Sequence, residues 1–524
     1  MTTTYDVAII GCGPIGAMAA NLFGAAGLRT IVIERESAPY AMPRAVHIDH
    51  EMMRLFNSVG LAETLLPQMR EAQGHVHIGA DGGVIRYLGT AGLPKLFGWA
   101  NDYFFYQPEL EQTLRDAMAR YPHVTLRSGT TMTALQQDQH GVGITVASGG
   151  TMDKIAARYA VACDGASSPT RKLLGIPLID LDFDEPWLVV DAAVDGPITF
   201  PDFSGVPAAA DLQSVSVMLC DPKRPATLVP GRGQHRRWEF MLLPGETDAE
   251  MVGPERIAAL IAPYVEGRSY RLTRAAVYRF HGLVAERWQD GRVFLAGDAA
   301  HQTPPFFGQG MCHGMRDVAN LAWKLGRVVS GKSAPALLDS YQVERDPHVR
   351  AVVGAAMQAG RYICERDPAV ARERDLRLRE AMGKPAPATA GDLIPPIRDG
   401  IVAPGAGERF VHPYVTTDDG RRALLDQITG GGFVLIVARA DLLSAETIAD
   451  WTRIGGRIVT LDQSQPGPGV IRVADTDRRL QNWLTQHDAA AMILRPDFYV
   501  YGYAGDQGSL DQLTRRWLDQ LSPQ

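Results

Sequence analysis

The chain has 524 residues, of which 46% are hydrophobic and 21% charged, a balance that excludes a disordered tail or a fibrous repeat and allows more than one buried core. At roughly 100 to 200 residues per domain, about three units are expected. A net charge of −7 offers no basic footprint for nucleic acid or an anionic membrane surface, and no run approaches the roughly 20 apolar residues of a membrane span, so a small molecule is the expected partner.

The opening MTTTYDVAIIGCG lacks a basic leader and reads as a first strand. Residues 5–34 follow as strand, glycine turn, helix and strand, one βαβ unit. Gly11, Gly13 and Gly16, with Pro14 and Ile15 between them, have dinucleotide-fingerprint spacing, which permits a tight turn, close pyrophosphate approach and close helix packing. Helix N–H groups would face the pyrophosphate. Glu34, 18 residues after Gly16 and followed by Arg35, can accept from an adenosine ribose hydroxyl. This loop does not separate FAD from a nicotinamide dinucleotide.

Further strands are expected at Tyr159–Cys163 and Arg292–Ala296, with short β patterns from Leu188 to Leu243 between them. That order suggests a substrate-side sheet inserted into a nucleotide-binding domain. RVFLAGDAAH, residues 292–301, supplies the missing distinction, because a flavin needs a distant second anchor for its ribityl chain. Asp298, after Gly297, can accept from ribityl hydroxyls at a strand end. The following QTPPFFGQGMC carries Pro304, Pro305, Gly308, Gly310 and Met311 into a helix beginning near Gly310. Its N–H groups would face the flavin N1–C2=O edge and stabilise the charge of a reduced flavin.

Helical patterns continue over 335–360, and a heavily charged stretch at 361–380 reads as a solvated helix. The Pro-, Gly- and Ala-dense 383–407 reads as a linker. Alternating strand and helix patterns from 408 onward suggest a small α/β layer. The resulting division is 1–180 and 284–382 for two parts of an FAD domain, 181–283 for a substrate sheet, and 408–524 for a last domain. Cys12, Cys163, Cys220, Cys312 and Cys364 form no CxxC pair, which disfavours a metal site, thioredoxin-type redox chemistry and disulfides, and points to the cytoplasm.

These motifs together resemble the single-component FAD-dependent aromatic hydroxylases. GCGPIG with Glu34 is similar to that family's first motif, PRAVHID at 43–49 to its flavin-contacting arginine segment, CDGAS at 163–167 to its Asp-Gly motif, and GDAAHQTPPFFGQG to its Gly-Asp motif. QPELE at 107–111, CDPKRP at 220–225, RRWEFMLLPGE at 236–246, MRDVANLAWKL at 315–325 and WLTQHDAAAMILRPD at 483–497 extend the likeness over nearly the whole chain, most closely to its hydroxyphenylpropionate-hydroxylating members. The resemblance implies an α/β fold: a Rossmann-like FAD-binding domain of the p-hydroxybenzoate hydroxylase type, an inserted β-sheet substrate domain, and a C-terminal thioredoxin-like domain without redox cysteines. It implies that Arg44 and Gln107 contact the flavin or its diphosphate and that Asp164 serves both FAD and nicotinamide-cofactor binding. The implied reaction consumes NADH or NADPH and O2 and transfers oxygen from a flavin C4a-hydroperoxide to a phenol. A homodimer is one assembly considered.

For the substrate, Tyr278 corresponds to a substrate-contacting tyrosine of phenol-hydroxylating relatives and competes with a plain packing role. Pro304 is a further candidate at the reacting ring. His47, where relatives carry a small or apolar residue, is either a substrate contact or an incidental polar neighbour. A carboxylate-bearing substrate would want an arginine, and Arg224, Arg236, Arg237, Arg274 and Arg279 all stand available. His301 and Cys312 read as buried structural residues, and GRVVSGKS at 326–333, though it fits a literal P-loop pattern, reads as a helix end. The alternatives are a flavin-dependent tailoring oxidoreductase and an uncoupled flavin oxidase. A disulfide reductase would need a cysteine pair and a second dinucleotide fingerprint that this sequence lacks.

Overall fold

A computed structural model of the chain describes residues 5–382, 390–462 and 467–523. The apolar strand Tyr5–Ile10 lies in the middle of a parallel array, flanked by Thr30–Ile33 and Thr151–Ala162, with Val124–Arg127 and Val293–Leu295 outside them. Strands buried on both faces run apolar throughout, as parallel sheets require. The helix Pro14–Ala25 packs small residues (Gly16, Ala17, Ala19, Ala20) inward, and at Gly16 a β-carbon would come within 1.9 Å of the Gly11 carbonyl oxygen. The glycine loop, the 163–165 segment and Gly297–Asp298 therefore leave the carboxyl ends of three adjacent parallel strands, where open α/β sheets bind ligands.

A second, eight-stranded sheet orders His301–Gln302, Tyr270–Ala285, Leu178–Val194, His235–Met241, Ala226–Val229, Ser216–Leu219, Gly74–Ile78 and Val84–Gly89. The substrate sheet is thus not confined to 181–283: it recruits a hairpin from 74–89. Alternation sends Leu188, Val190, Trp238, Phe240 and Val217 onto the helix Pro254–Val265, and Trp187, Val189, Met218, Met241 and Phe280 toward the FAD-binding part.

The helix Gly310–Val329 ends with Ser330 as its C-cap, so residues 326–333 are a helix end as expected. The charged stretch forms Pro368–Ala381, but it is not wholly solvated. Arg374 and Asp375 are buried: Arg374 donates to the Cys220 carbonyl, and Asp375 accepts from the Ala80 N–H. Of the expected linker, residues 383–389 lie outside the described residues. Ile397, Val402 and Ala406 are buried in the last domain's core, so that part of the segment is packed and not a free linker. The last domain holds a seven-stranded sheet with Val434–Val437 between Arg457–Thr460 (parallel) and Ala491–Leu494 (antiparallel). Among the described residues no helix is long and apolar enough to cross a membrane.

Candidate active site

A cleft at the strand ends is lined by Gly11, Gly13, Pro14, Glu34, Arg35, Arg44, Gln107, Asp164 and Gly165, eight of which the sequence had singled out. Gly11 has φ +94° and a β-carbon there would strike the Cys163 carbonyl, while at Gly13 it would meet nothing within 4 Å. One glycine closes the turn and the other leaves the approach open. No side chain caps the helix start at Pro14, so its N–H groups and positive dipole end stay free for an anion.

Glu34 accepts from the Cys12 N–H at 2.6 Å and the Glu36 N–H at 2.8 Å, which fixes its carboxylate at the strand end. Arg35 is exposed and pairs with Glu36. Gln107 Oε1 accepts from the N–H groups of both Arg44 and Ala45 at 2.9 and 2.8 Å, so it shapes the Arg44 segment while the Arg44 guanidinium lies over Tyr40. Asp164 accepts from Ser168 Oγ and the Thr170 N–H.

Arg115, outside the sequence reading, holds this loop: it donates to the Cys12 carbonyl from Nε and Nη2 and pairs with Glu111, the last residue of the QPELE segment, at 2.8 Å. The QPELEQTLRD spacing shows that i,i+4 pair, but not its target.

Gly297, with φ +60°, packs against Ile15 and Gly314, which brings the second motif beside the first. Asp298 is exposed at the strand end next to Gly297, and no hydrogen bond to its carboxylate is made among the described residues. Enclosure by protein raises its pKa, the charges of His301 and Arg44 opposing. An exposed carboxylate at this strand end, uncommitted to protein groups, is free to accept from a hydroxyl-rich ligand chain. His301 instead is buried and bonded to Asp317, which also accepts from the Gly297 N–H and from Arg345. It is a structural histidine. Cys312 is fully buried, with its thiol pKa pushed up by desolvation.

Pro304 precedes the turn Pro305–Phe307, Gly308 closes it at φ +62°, and the helix starting at Gly310 and Met311 has no side-chain cap. Its neighbour Gln309 is turned inward to accept from Arg316 Nη1, and Arg316 also grips Asp49 and Glu51. The second free helix N-terminus therefore sits on a rigid buried ion cluster. These features fit FAD: an uncapped helix for the diphosphate, an unmatched carboxylate for the ribityl chain, and a second uncapped helix for the ring edge.

Beyond the turn, His47 is buried, its Nε2 2.9 Å from Asp102, and a β-carbon on Gly308 would approach its Nδ1 to 2.8 Å. Burial disfavours the imidazolium, but the Asp102 carboxylate outweighs it and the pKa is raised. His75 lies 6.0 Å away, ring to ring. Tyr278, half-buried, faces the same side under the Arg274 guanidinium.

The arginines expected to be available for a carboxylate are all engaged. Arg224 is bound by Glu246, Arg236 by the Pro230, Gly233 and His235 carbonyls, and Arg279 by Asp184. Arg237 is held by Asp191 and the Pro43 and Arg44 carbonyls, and Arg274 by the Pro43 carbonyl and Asp191. A buried guanidinium without partners is costly, so the fold pairs Arg236, Arg237 and Arg274 internally, although Arg236 Nε and Arg274 Nε keep no partner, while Arg279 pairs at the exposed surface.

Comparison with known proteins agrees with this geometry. Residues 4–356 match a family model described as FAD binding domain, and 407–520 one described as HcaD C-terminal domain. The chain is 37% identical to a 3-(3-hydroxy-phenyl)propionate/3-hydroxycinnamic acid hydroxylase of Burkholderia cenocepacia (strain HI2424), covering 94% of this chain and 93% of that one. It is 34% identical to a probable NADH-specific resorcinol 4-hydroxylase of Rhodococcus jostii (strain RHA1), covering 99% and 95%. Among solved structures, the fold matches the flavin-dependent monooxygenase PieE (TM-score 0.80, 21% identity, 98% and 99% covered) and the anhydrotetracycline hydroxylase OxyS of Streptomyces rimosus (0.78, 25%, 99% of both). The chain belongs to the FAD-binding-domain family of flavin-dependent aromatic hydroxylases, the class A flavin monooxygenases.

Proposed function

We propose that the protein hydroxylates a small phenol in the cytoplasm, consuming NADH or NADPH and O2. The observation that carries this reading is the Asp298 carboxylate, unmatched by protein and adjoining the glycine loop, in a chain of this family. When bound, FAD supplies the electron storage and oxygen activation that no side chain offers.

The chain's own groups bind, orient and shield. Gly11, Gly13, Pro14, Ile15 and Gly16 would seat the diphosphate, with Glu34 and Arg35 toward the adenosine. Arg44, positioned through Gln107, would counter the diphosphate charge, and Asp164 would order the adjoining loop. Gly297 and Asp298 would bind the ribityl chain, and Pro305, Gly308, Gly310 and Met311 the ring edge.

At the reacting ring, Pro304 and Tyr278 would orient the substrate. His47, fixed through Nε2 by Asp102 and with its pKa raised, would place a positive field beside the ring and so favour phenolate character. The apolar Trp187, Phe280 and Phe306, in mutual ring contact, would exclude water.

The relatives' names supply two substrate classes, a carboxylated phenol from the Burkholderia protein and a dihydroxybenzene from the Rhodococcus protein. Free thiols at all five cysteines suit a reducing compartment. The testing experiment replaces His47 with Ala in FAD-loaded protein and follows pH-dependent phenol hydroxylation. Unchanged flavin content with kcat lowered roughly 10²-fold or more supports the role; unchanged kcat across pH removes it.

A further inference from the structure

The sheet face turned toward the flavin cleft touches the FAD-binding part at three places. Arg237 and Arg274 reach the Pro43 carbonyl, Trp187 and Phe280 pack on Phe306, and His75 meets His47. Inside that frame lie Thr227 and Glu239, directly opposite one another on neighbouring strands. Both are buried, at 4% and 7% exposure. Thr227 Oγ1 has no hydrogen-bond partner, and among the described residues none bonds the Glu239 carboxyl. Residues opposed in this way hold their β-carbons about 5 Å apart, so the two polar ends serve one ligand group. A buried threonine hydroxyl without a partner requires an explanation, and a bound hydroxyl supplies one: it accepts from the threonine and donates to the neighbouring Glu239 carboxylate.

The surrounding charge narrows the ligand further. Arg237 is held by Asp191 and the Pro43 and Arg44 carbonyls, and Arg274 is tied to Asp191 and the Pro43 carbonyl with its Nε left unpartnered, so both cations on this floor are already paired with the Asp191 carboxylate. Glu239 has its pKa pushed up to about 7, burial and Asp191 raising it against Arg237 and Arg274. An incoming carboxylate would face two acids. Arg86, opposite His77, stands three strands from Thr227, roughly 14 Å at about 4.8 Å per strand.

We infer that Thr227 and Glu239 form a hydroxyl-binding site across from His47, one that selects an uncharged arene with a second hydroxyl over one bearing a carboxylate side chain. This rests on the hydroxylase reading and names its substrate class.

The test titrates FAD-loaded protein calorimetrically, without NADH, with 1,3-dihydroxybenzene and with 3-(3-hydroxyphenyl)propionate, then adds NADH and quantifies hydroxylated products. The diol is expected to bind at least about tenfold tighter. Thr227→Val, nearly isosteric, and Glu239→Gln should each keep FAD content and weaken diol binding by roughly tenfold, and Glu239→Gln should also improve binding of the carboxylated phenol. Equal or tighter binding of the carboxylated phenol by the wild type overturns the inference, as does wild-type diol binding in both variants. Preferred hydroxylation of the carboxylated phenol sinks the inference and leaves the hydroxylase reading standing. Tight diol binding with no hydroxylated product from either ligand does the reverse.

Discussion

At Gly16 a β-carbon would strike backbone, while at Gly13 it would project into open cleft, so two glycines of one motif do different work. Gly16→Ala should lower the melting temperature of the flavin-free protein as well as abolish FAD retention. Gly13→Ala should leave that melting temperature within about 2 °C, a near-neutral effect, and weaken FAD alone. Differential scanning fluorimetry with and without FAD separates the two. Asp298→Ala should cost about 1.5–3 kcal/mol of FAD binding, the worth of hydrogen bonds to a charged group, or a roughly 10- to 150-fold rise in Kd; unchanged flavin content would remove the ribityl role. Both motifs were legible because their chemistry depends on spacing within a few residues. Arg115 was not, because its target carbonyl at Cys12 lies 103 residues away. Nor was the commitment of Arg237 to Pro43, 194 residues away; residue type alone left five arginines looking free.

The helix Gly310–Val329 was legible as an element, and its role as a strut was not. Its buried face carries Arg316, Asp317, Asn320 and Lys324 as well as apolar residues, and each charge finds its partner on another element. Arg316 ties the helix start to Asp49 and Glu51, and Arg409 of the last domain pairs with the same Glu51 at 2.8 Å. Arg409→Met removes one partner of a buried pair, a change worth about 3–5 kcal/mol. It should lower the melting temperature and weaken FAD together, although Arg409 lines no part of the cleft. A variant that loses stability while keeping wild-type FAD affinity would show that the cluster does not reach the flavin turn. The charged helix Pro368–Ala381 illustrates the limit of composition: it reads as solvated, yet Arg374 and Asp375 are sealed against the hairpin at 74–89 because each neutralises the other.

Across the molecule, the last domain is clamped to the FAD-binding part by a buried network around Glu344. That carboxylate accepts from Asn320, Lys324, Arg495 and the Ile401 N–H. Burial alone would raise its pKa, but Arg495 and Lys324 outweigh it and hold it at about 2, against an ordinary 4.5. A depressed carboxylate stabilises the fold above its unfolded pKa and loses that contribution as pH falls through the folded value. On the order of 3 kcal/mol should therefore disappear between pH 4.5 and 2. Thermal melts across that range should show the loss, and Glu344→Gln should flatten it at the cost of lower stability at pH 7. The three-part architecture was legible from strand order and motif positions. The clamp was not, since Lys324 and Arg495 read as ordinary charges until the fold buries them beside Glu344.

The central claim is that this assembly of cleft, turn and polar floor couples flavin to ring hydroxylation. It is tested most directly by oxidising NADH and NADPH with FAD-loaded protein across a panel of phenols, scoring hydroxylated product against hydrogen peroxide. The account predicts that at least one phenol accelerates nicotinamide oxidation and yields hydroxylated product in near-equal amount to the nucleotide consumed. Nicotinamide oxidation that yields only peroxide with every phenol would contradict it.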